Sequence, residues 1–513
     1  MNPDDDFHAQ VWAACEAFRG EMPFVQSRDY VLTLVFLKYI SDVWHNLQAQ
    51  VQAELAQAGG QAPAPSDERI NRAMSRSRFY LPQVALHDAS GEIVIDQFLA
   101  DIYSLNIRRE HPDIGAFIDR TLAALEKDNP ARLYNLFFHV RFDTYAVLSS
   151  GTERNLRLRH FLSFLAFLEM RANMPAWPAL FLFLIERFSL EDDSTPETPR
   201  QIARLLHHLV KPRPGEQVAD PVCASASLLL ASSTHGVPLV LFGQEAVPAL
   251  LAIARMNLLV HEQDDAIMKQ GDCLRMPQLL QGAQLQQFDV VLAYPAQDNM
   301  PWLPVRAAQD AYRRFWRGLP PRHRVDYAYI CHCLAMTRPG CGRLAIIATQ
   351  GMLFRGRAEN GIRQQLIEEN LLDTVILLPP NVLPHSRVGM VVCLFDRARE
   401  AGGARAHVRD VLMIDASVGI APNKHLCLMS ASQIDQIIAD VNARQTQGQG
   451  CYLASTDEIA ANEFDLTLPR YQFAHKKALA CNLQEARQQI AELEQALLAL
   501  QNKMTQQLAT LDS

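Results

Sequence analysis

Between about residue 155 and residue 400, short apolar runs alternate with stretches whose apolar positions recur three and four residues apart. The short runs are typical of buried strands, and the spaced positions are typical of amphipathic helices. Alternation of the two predicts an α/β fold with a parallel, doubly wound, Rossmann-like sheet. The predicted strands cover residues 217–220, 239–242, 288–292, 343–347, 374–378, 391–395 and 411–414.

A purely helical pattern precedes this region. Apolar residues recur at helical spacing through residues 7–53. Residues 56–67 are rich in Ala, Gly, Gln and Pro, which predicts a loop. Helical periodicity then continues to about residue 145. We therefore predict an α-helical N-terminal domain over residues 1–150 and an α/β domain over residues 151–473. The length of 513 residues is more than one hydrophobic core usually supports, so it also predicts two or more domains.

The last forty residues, 474–513, carry a heptad pattern, which predicts a C-terminal helix. Its two apolar positions are occupied by Leu483, Ile490, Leu497, Met504 and Leu511, and by Ala486, Leu493 and Leu500. The pattern favours pairing with a helix of a partner protein. The alternative is an amphipathic helix that folds back on its own domain.

Composition narrows the class of protein. The chain is 49% apolar and 20% charged, as in folded soluble proteins, and its net charge of -8 gives no overall basic signature of a nucleic-acid binder. An acidic start, and charged residues and prolines within the most apolar stretch at 161–188, indicate neither a secretory signal nor a membrane span. We therefore expect a cytoplasmic protein with reduced cysteines and no membrane partner.

One short cysteine and histidine run raises the question of a metal. Cys331, His332 and Cys333 are followed by Cys341, but this spacing is not that of a standard zinc-ligand pair and the run lies in an apolar, helical segment. We expect no metal site there.

Acidic residues lie at or after the ends of two of these predicted strands, and a third acid, Asp272, follows a further strand predicted just before it. Ligands of doubly wound sheets bind beyond the carboxyl ends of the strands, where Asp220, Glu245 and Asp272 would meet. An acid after a strand is more often a turn or helix cap than a ligand. Three in order on one sheet nevertheless favour a cofactor site.

Several ordered motifs resemble the modification (M) subunits of type I restriction-modification systems, which are adenine-N6 DNA methyltransferases that use S-adenosylmethionine. The motifs are Arg19-Gly20, residues 36–42, Thr198-Pro199-Arg200, Asp220-Pro221, Gly243-Gln244-Glu245, residues 254–258, residues 352–356 and Leu468-Pro469-Arg470-Tyr471. The resemblance extends over nearly the whole chain.

This resemblance implies roles for the candidate residues. Thr198 and Pro199 would hold the methionine end of S-adenosylmethionine, and Glu245 would bind its ribose. Asp220 would begin the cofactor loop, and Asp272 would bind the adenine amino group. The implied partners are a DNA-specificity subunit, a restriction subunit, an active M paralogue and, through the complex, double-stranded DNA.

The cofactor loop departs from the family pattern. Where the family has Cys-Gly-Ser-Gly, this chain has Cys223-Ala224-Ser225-Ala226. A methyl group at either glycine position lies where backbone approaches the ligand, and it disfavours any positive φ that the loop requires. We expect weakened cofactor binding.

The catalytic tetrapeptide departs further. The family has Asn-Pro-Pro followed by Phe or Tyr, whereas Tyr294, Pro295, Ala296 and Gln297 stand here. The asparagine accepts hydrogen bonds from the target amino group and the aromatic ring stacks on the flipped base. The sequence therefore predicts an impaired M-type subunit with a structural role.

Two other interpretations remain open. The first is an active methyltransferase in which Tyr294 and Gln297 have exchanged the roles of the ring and the amide. The second is a nucleic-acid- or nucleotide-binding module unrelated to methylation.

Overall fold

The computed structural model describes residues 3–20, 22–59, 68–87, 93–143, 151–191, 197–233, 238–295, 302, 309–383, 386, 388–418, 429–446, 450–475, 490, 492–495 and 497. The amino-terminal part is helical, with one added hairpin. Its helices are α1 (Pro3–Arg19), α2 (Phe24–Gly59), α3 (Glu68–Met74), α4 (Ile102–Ile107), α5 (Ile114–Asp128), α6 (Pro130–Leu133), α7 (Gly151–Phe167) and α8 (Trp177–Glu191). The antiparallel hairpin consists of β1 (Gln83–His87) and β2 (Ile93–Leu99).

The helical stretch predicted over residues 7–53 consists of two helices. The chain leaves α1 through Gly20, whose φ of 55° suits glycine. Helix α2 then continues to Gly59, beyond the predicted start of the loop at residue 56, while residues 60–67 lie outside the described part. Buried along α2, Lys38 Nζ donates to Asp42 Oδ1 at 2.8 Å and to the Tyr103 hydroxyl at 2.7 Å.

The helices surround one apolar core. Its buried members extend from Val11 to Phe188 and include one face of a later helix, α11 (Pro248–Val260). Trp177, fully buried, packs its ring edge-to-face with Tyr39 at 5.6 Å between centroids. Packing therefore joins the helical part to the α/β part, and the predicted boundary at residue 150 stays a prediction.

The α/β part begins with α9 (Arg200–Val210) and contains every strand that the sequence predicted. Its strands are β3 (Gln217–Asp220), β4 (Val240–Glu245), β5 (Ile267–Gln270), β6 (Leu280–Gln281), β7 (Gln284–Leu285), β8 (Val290–Ala293), β9 (Arg343–Thr349), β10 (Leu372–Leu377), β11 (Met390–Asp396), β12 (Asp410–Asp415) and β13 (Cys451–Ser455). Its other helices are α10 (Ser227–Ser233), α12 (Asp326–Met336), α13 (Ala358–Glu368), α14 (Ala431–Ala443) and α15 (Thr456–Ala461).

Nine of the described strands form one sheet, in the order β13-β12-β10-β11-β9-β8-β3-β4-β5. The sheet is mostly parallel and confirms the Rossmann-like, α/β class. Two strands differ from the purely parallel prediction, because β11 runs antiparallel between β9 and β10, and β13 runs antiparallel to β12. Short, fully apolar runs predict burial on both faces but carry no information on strand direction.

Strand β3 lies between β8 and β4, and all three are parallel. Asp220 is the register partner of Gly243, and Ala219 is the partner of Val291. The loops that leave these strands therefore emerge at the same edge of the sheet, as predicted for the candidate site.

A polar connection joins the helical part to this sheet. Arg78 Nε donates to Asp264 Oδ2 at 2.8 Å and its Nη1 donates to the Tyr39 hydroxyl at 2.7 Å. Arg132 Nε donates to the same Asp264 Oδ2, also at 2.8 Å. Although burial alone would raise it, these two arginines hold the pKa of Asp264 below its ordinary value.

Residues 466–513 form a separate compact unit. It begins with α16 (Leu468–His475), and residues 490, 492–495 and 497 are helical. Ile490, Leu493 and Leu497 expose 56–70% of their surface. The other heptad positions, Leu483, Ala486, Leu500, Met504 and Leu511, lie outside the described residues.

Candidate functional site

The loop between β3 and α10 adopts a backbone conformation that glycine favours, although alanine occupies the two positions concerned. Ala224 has a φ of 44° and Ala226 a φ of 68°. A side chain in this region costs of order 1–2 kcal/mol per residue. The two alanines therefore lie where the expected loop requires positive φ.

Hydrogen bonds from neighbouring elements hold this loop. The backbone N–H of Ala224 donates to Glu245 Oε2 at 2.9 Å, and the N–H of Cys223 donates to the carbonyl of Gln244 at 3.0 Å. Asn257 Nδ2, buried in α11, donates to the carbonyl of Ser225 at 2.9 Å. These bonds originate in β4 and α11, so the loop keeps its conformation through contacts outside its own sequence.

The two alanine methyl groups have different surroundings. Ala226 is fully buried and belongs to the apolar core beneath the sheet edge, whereas Ala224 is partly exposed. The Ala226 methyl therefore packs inward, and only the Ala224 methyl lies at the accessible face of the loop.

Glu197, which the sequence analysis did not single out, lies at the centre of the site. Its carboxylate accepts hydrogen bonds from the hydroxyls of Ser225, at 2.6 Å, and Ser227. Burial, partly offset by these bonds, raises the pKa of Glu197 to about 7. The available signal was its position directly before Thr198-Pro199.

Thr198 and Pro199 connect this carboxylate to helix α9. Thr198 is buried, and the carbonyl of Pro199 accepts the first hydrogen bonds of the helix. Thr198 and Ser227 also line an adjacent, largely apolar cavity of about 190 Å³. The structure thus brings the predicted Thr-Pro motif and the cofactor loop together.

Asp220 ends β3 as predicted and is buried. Its Oδ1 accepts a hydrogen bond from the N–H of Val222 at 3.0 Å. Burial, reinforced by the charges of Glu245 and Glu197, raises the pKa of Asp220 to about 8. At neutral pH the carboxyl is therefore mostly protonated.

Glu245 ends β4, and both of its carboxylate oxygens accept backbone hydrogen bonds. Oε2 accepts from Ala224 and Oε1 accepts from Val247 at 2.8 Å. The ribose-binding role of Glu245 stays a prediction.

Asp272 follows β5, and its side chain accepts hydrogen bonds within the turn that it begins. Its Oδ1 accepts from the N–H groups of Leu274 at 2.9 Å and Arg275 at 3.2 Å, and the side chain is 40% exposed. The adjacent turn is held by buried Gln244, whose Nε2 donates to the carbonyl of Gly271 at 2.9 Å. The adenine-binding role of Asp272 stays a prediction.

Tyr294 directly follows β8, at the catalytic position of the tetrapeptide. The side chain is 8% exposed and belongs to the same buried cluster as Val218 and Leu229. Burial and the charge of Glu197 raise the pKa of Tyr294 to about 12. The phenol is therefore protonated at neutral pH. Ala296 and Gln297 lie outside the described residues.

The run of cysteine and histidine residues lies inside a buried helix. Cys331, His332 and Cys333 are buried within α12, whereas Cys341 is exposed beyond its end. Burial and the neighbouring Arg314 lower the pKa of His332 to about 3. In the described part of the chain, no group of His, Cys, Asp and Glu side chains could hold a metal ion.

S-adenosylmethionine fits the chemistry of this donor set. Glu197, Asp220 and Glu245 form an acidic cluster beside the loop, and the cofactor carries a positive sulfonium and a positive amino group. The raised pKa values of Asp220 and Glu197 reflect a cluster that a cation would stabilise in its charged form. Bound there, the cofactor would supply the methyl group.

The described residues contain no helix that is both long enough and apolar enough to cross a membrane.

Known proteins match this chain in both parts. The family model for N-6 DNA methylase matches residues 182–478, and the model for the HsdM N-terminal domain matches residues 7–163. The MjaVII type I restriction enzyme methylase subunit of Methanocaldococcus jannaschii is 25% identical over 319 residues, which cover 58% of this chain and 52% of that protein. The HindI methylase subunit of Haemophilus influenzae is 25% identical over 290 residues, which cover 53% and 62%. The chain thus spans about half the length of the first of these curated relatives.

Solved structures share the fold. A type I restriction-modification system methyltransferase subunit from Streptococcus thermophilus matches with a TM-score of 0.76 at 22% identity, covering 91% of this chain and 98% of that one. A structure described as the assembly and conformational transition of a type I system matches with a TM-score of 0.60 at 18% identity, covering 99% of both chains. The family model that covers more than half of the chain shows that the chain belongs to the N-6 DNA methylase family, and the HsdM N-terminal model and the curated relatives make it similar to the methylase subunits of type I restriction enzymes.

Proposed function

We propose that this chain is a catalytically impaired M-type subunit that acts structurally in a cytoplasmic type I restriction-modification complex of bacterial defence. Its direct partner is a DNA-specificity subunit, which brings the chain to double-stranded DNA. An active M paralogue and a restriction subunit complete the proposed complex.

The observation that carries this proposal is the buried tyrosine at the end of β8. Methyl transfer to adenine N6 needs a group that accepts hydrogen bonds from the target amino group. In the family this acceptor is the amide of the asparagine. The Tyr294 phenol is buried, and its pKa is raised to about 12 by burial and by Glu197. Loss of one oriented polar contact in a transition state commonly lowers the rate about 10²–10³-fold.

The cofactor loop adds a second impairment. Ala224 stands at positive φ at the accessible face of the loop, where its methyl group opposes close approach of a ligand. Weak binding of S-adenosylmethionine and a missing catalytic amide would impair two successive steps, cofactor binding and methyl transfer.

An active methyltransferase with an atypical motif is the second candidate, and one observation favours it. The loop keeps the expected conformation, Glu197, Asp220 and Glu245 surround it, and the Ala226 methyl packs into the core rather than towards a ligand. In this case Tyr294 would supply the ring and Gln297 the amide.

The deciding experiment measures tritiated methyl transfer to DNA by the chain co-purified with the specificity subunit of the same system. The impaired subunit incorporates no methyl above background, while an M subunit with the Asn-Pro-Pro-Phe motif serves as the positive control. Incorporation that disappears in the Tyr294→Ala variant would instead establish the second candidate.

A further inference from the structure

A cavity of about 440 Å³ lies where helices α6 and α11 approach the start of β5. Pockets that bind small molecules have about 300–1,000 Å³, apolar walls and a few well-placed polar groups. The described lining of this cavity includes neither Asp220, nor Glu245, nor any of residues 223–227. The cavity is therefore separate from the cofactor loop and is not needed for the methyl-transfer chemistry considered above.

Arg255 of α11 lies half-buried in this cavity and is held by the end of α6. The last carbonyls of a helix lack intrahelical partners, and here the carbonyl of Arg132 accepts from Arg255 Nη2 at 2.9 Å. The carbonyl of Tyr134 accepts from Nη1 at 2.8 Å. Burial lowers the pKa of Arg255, and the charge of Glu126 partly opposes this effect. Within the described residues Arg255 forms no ion pair, so its charge has no carboxylate in contact with it.

Arg132 brings a second guanidinium into the cavity. Its Nε donates to Asp264 Oδ2 at 2.8 Å, while its Nη1 and Nη2 make no hydrogen bond within the described residues. Asp264 is also bound by Arg78, whose Nε donates to Oδ2 at 2.8 Å and to Oδ1 at 3.1 Å. Exposed Glu262 and Asp265 are close in sequence but do not line the cavity. The one acid of the described lining, Asp264, is thus shared between two arginines, and free donors remain.

Apolar side chains form much of the remaining wall. Leu251 and Leu258 come from α11, and Ile267 and Met268 come from β5. Ile267 is 40% exposed and Tyr134 is 72% exposed, although both line this concave site. Covering such apolar surface is favourable because it removes the surface from water. The cavity therefore combines free cationic donors with uncovered apolar surface.

Guanidinium groups bind the oxygen atoms of carboxylates and phosphates through charge-assisted hydrogen bonds. We propose that this cavity binds a small organic anion, with its oxyanion group on Arg132 and Arg255. The planar apolar body of the ligand lies against Tyr134, Ile267 and Met268. The site is independent of the proposed function, because it needs neither the cofactor nor methyl transfer.

The test is isothermal titration calorimetry of the full-length chain with two probes of the same shape. Naphthoate carries a carboxylate on a planar apolar body, and naphthamide is its uncharged counterpart. Naphthoate should bind at a single site with millimolar affinity or better, and naphthamide should bind about tenfold more weakly, because hydrogen bonds to charged groups are the stronger ones. Inorganic phosphate, which has the charge without the apolar body, should compete with naphthoate.

Substitution of Arg132 locates the binding. The Arg132→Gln variant loses the free terminal donors while Arg78 still binds Asp264, so naphthoate affinity should fall by about tenfold and naphthamide affinity by less. The Arg132→Lys variant keeps the charge and should retain part of the affinity. The matched control is Arg187→Gln, since the Arg187 side chain is 39% exposed against 38% for Arg132 and also pairs with a carboxylate, that of Glu191 at 3.1 Å. This control should bind both probes as the wild-type chain does.

A second variant tests the apolar wall. Leu251→Trp fills the cavity from α11 and should abolish binding of both aromatic probes. Circular dichroism and thermal melting establish that each variant is folded, and Leu251→Phe replaces Leu251→Trp if that one is not.

Three results would overturn the proposal. They are the absence of naphthoate binding at millimolar concentration, equal affinity for naphthoate and naphthamide, and an equal loss of naphthoate affinity in Arg132→Gln and Arg187→Gln. None of these measurements depends on methyl transfer, so failure of this proposal and failure of the proposed function are distinguishable.

Discussion

Ala224 donates its backbone N–H to Glu245 Oε2 at 2.9 Å, and this bond ties the cofactor loop to the end of the neighbouring strand. The same glutamate is predicted to bind ribose, so one carboxylate would both order the loop and contact the ligand. Because the loop is ordered from outside, it keeps positive φ at two alanines despite a cost of order 1–2 kcal/mol for each.

The first prediction separates the two alanines. Ala224→Gly removes backbone strain and an accessible methyl, so it should raise the free energy of unfolding by about 1 kcal/mol and strengthen S-adenosylmethionine binding. Ala226→Gly removes strain but also a buried methyl worth about 0.8 kcal/mol, so its stability should change little. Chemical denaturation and isothermal titration calorimetry measure both effects. The wild-type chain should bind weakly or not at all, and micromolar affinity would contradict this.

The second prediction concerns recovery of activity. Restoring the family residues together should recover methyl transfer in the presence of the specificity subunit, while single substitutions should not, because residues that act as a unit are not additive. The combined changes are Ala224→Gly, Ala226→Gly, Tyr294→Asn, Ala296→Pro and Gln297→Phe.

The matched control for this experiment carries Tyr294→Phe in place of Tyr294→Asn, with the other four changes kept. It lacks the amide acceptor and should stay inactive in the tritium assay. Equal activity of the two combined variants would show that the amide is not the missing element.

The third prediction uses the pKa of Asp220, which is raised from an ordinary 3.8 to about 8 by burial and by the nearby acids. A carboxyl whose folded pKa is raised binds more protons in the folded state, so its stabilising effect is lost as pH rises through that pKa. Between pH 6.5 and pH 9, the free energy of unfolding should fall by on the order of 2 kcal/mol from this group.

The Asp220→Asn variant keeps the shape of the side chain without its titration, so its unfolding free energy should fall less over the same range. Urea denaturation at each pH measures the difference. The range starts at pH 6.5 because buried His139, His261 and His332, whose pKa values burial lowers, titrate below it. Identical pH slopes in both proteins would contradict a protonated Asp220.

The fourth prediction concerns the C-terminal helix. Ile490, Leu493 and Leu497 are highly exposed in the structure, and burial of each large side chain against a partner helix contributes about 1.5–3 kcal/mol. A chain truncated after Phe473 should therefore fail to capture the specificity subunit in a pull-down, while circular dichroism shows the remaining fold intact.

A full-length variant with Leu493→Ala and Leu497→Ala tests the apolar face without deleting the helix, and its capture should be weakened. Equal capture by full-length and truncated chains would place the interface elsewhere, with the N-terminal helices as the next surface to test.

The sequence predicted strands better than their directions. The run at 391–395 is as apolar as its neighbours, yet β11 pairs antiparallel on both sides, because direction is set by the connections and not by the run itself. The positions of Asp220, Glu245 and Thr198 followed from strand order and motif. The importance of Glu197 did not, because its partners Ser225 and Ser227 are distant in the chain and meet it only after folding.

The bond between Arg78 and Asp264 has a mechanical consequence. Asp264 lies three residues before β5, and β5 leads directly into the turn that begins at Asp272. Because Arg78 also holds Tyr39 of helix α2, hydrogen bonds connect the long helix to the start of β5 and so to the turn behind it. We therefore expect a protein that displaces α2 to change the ligand affinity of the cofactor edge, and by thermodynamic linkage the ligand would change the affinity for that protein equally.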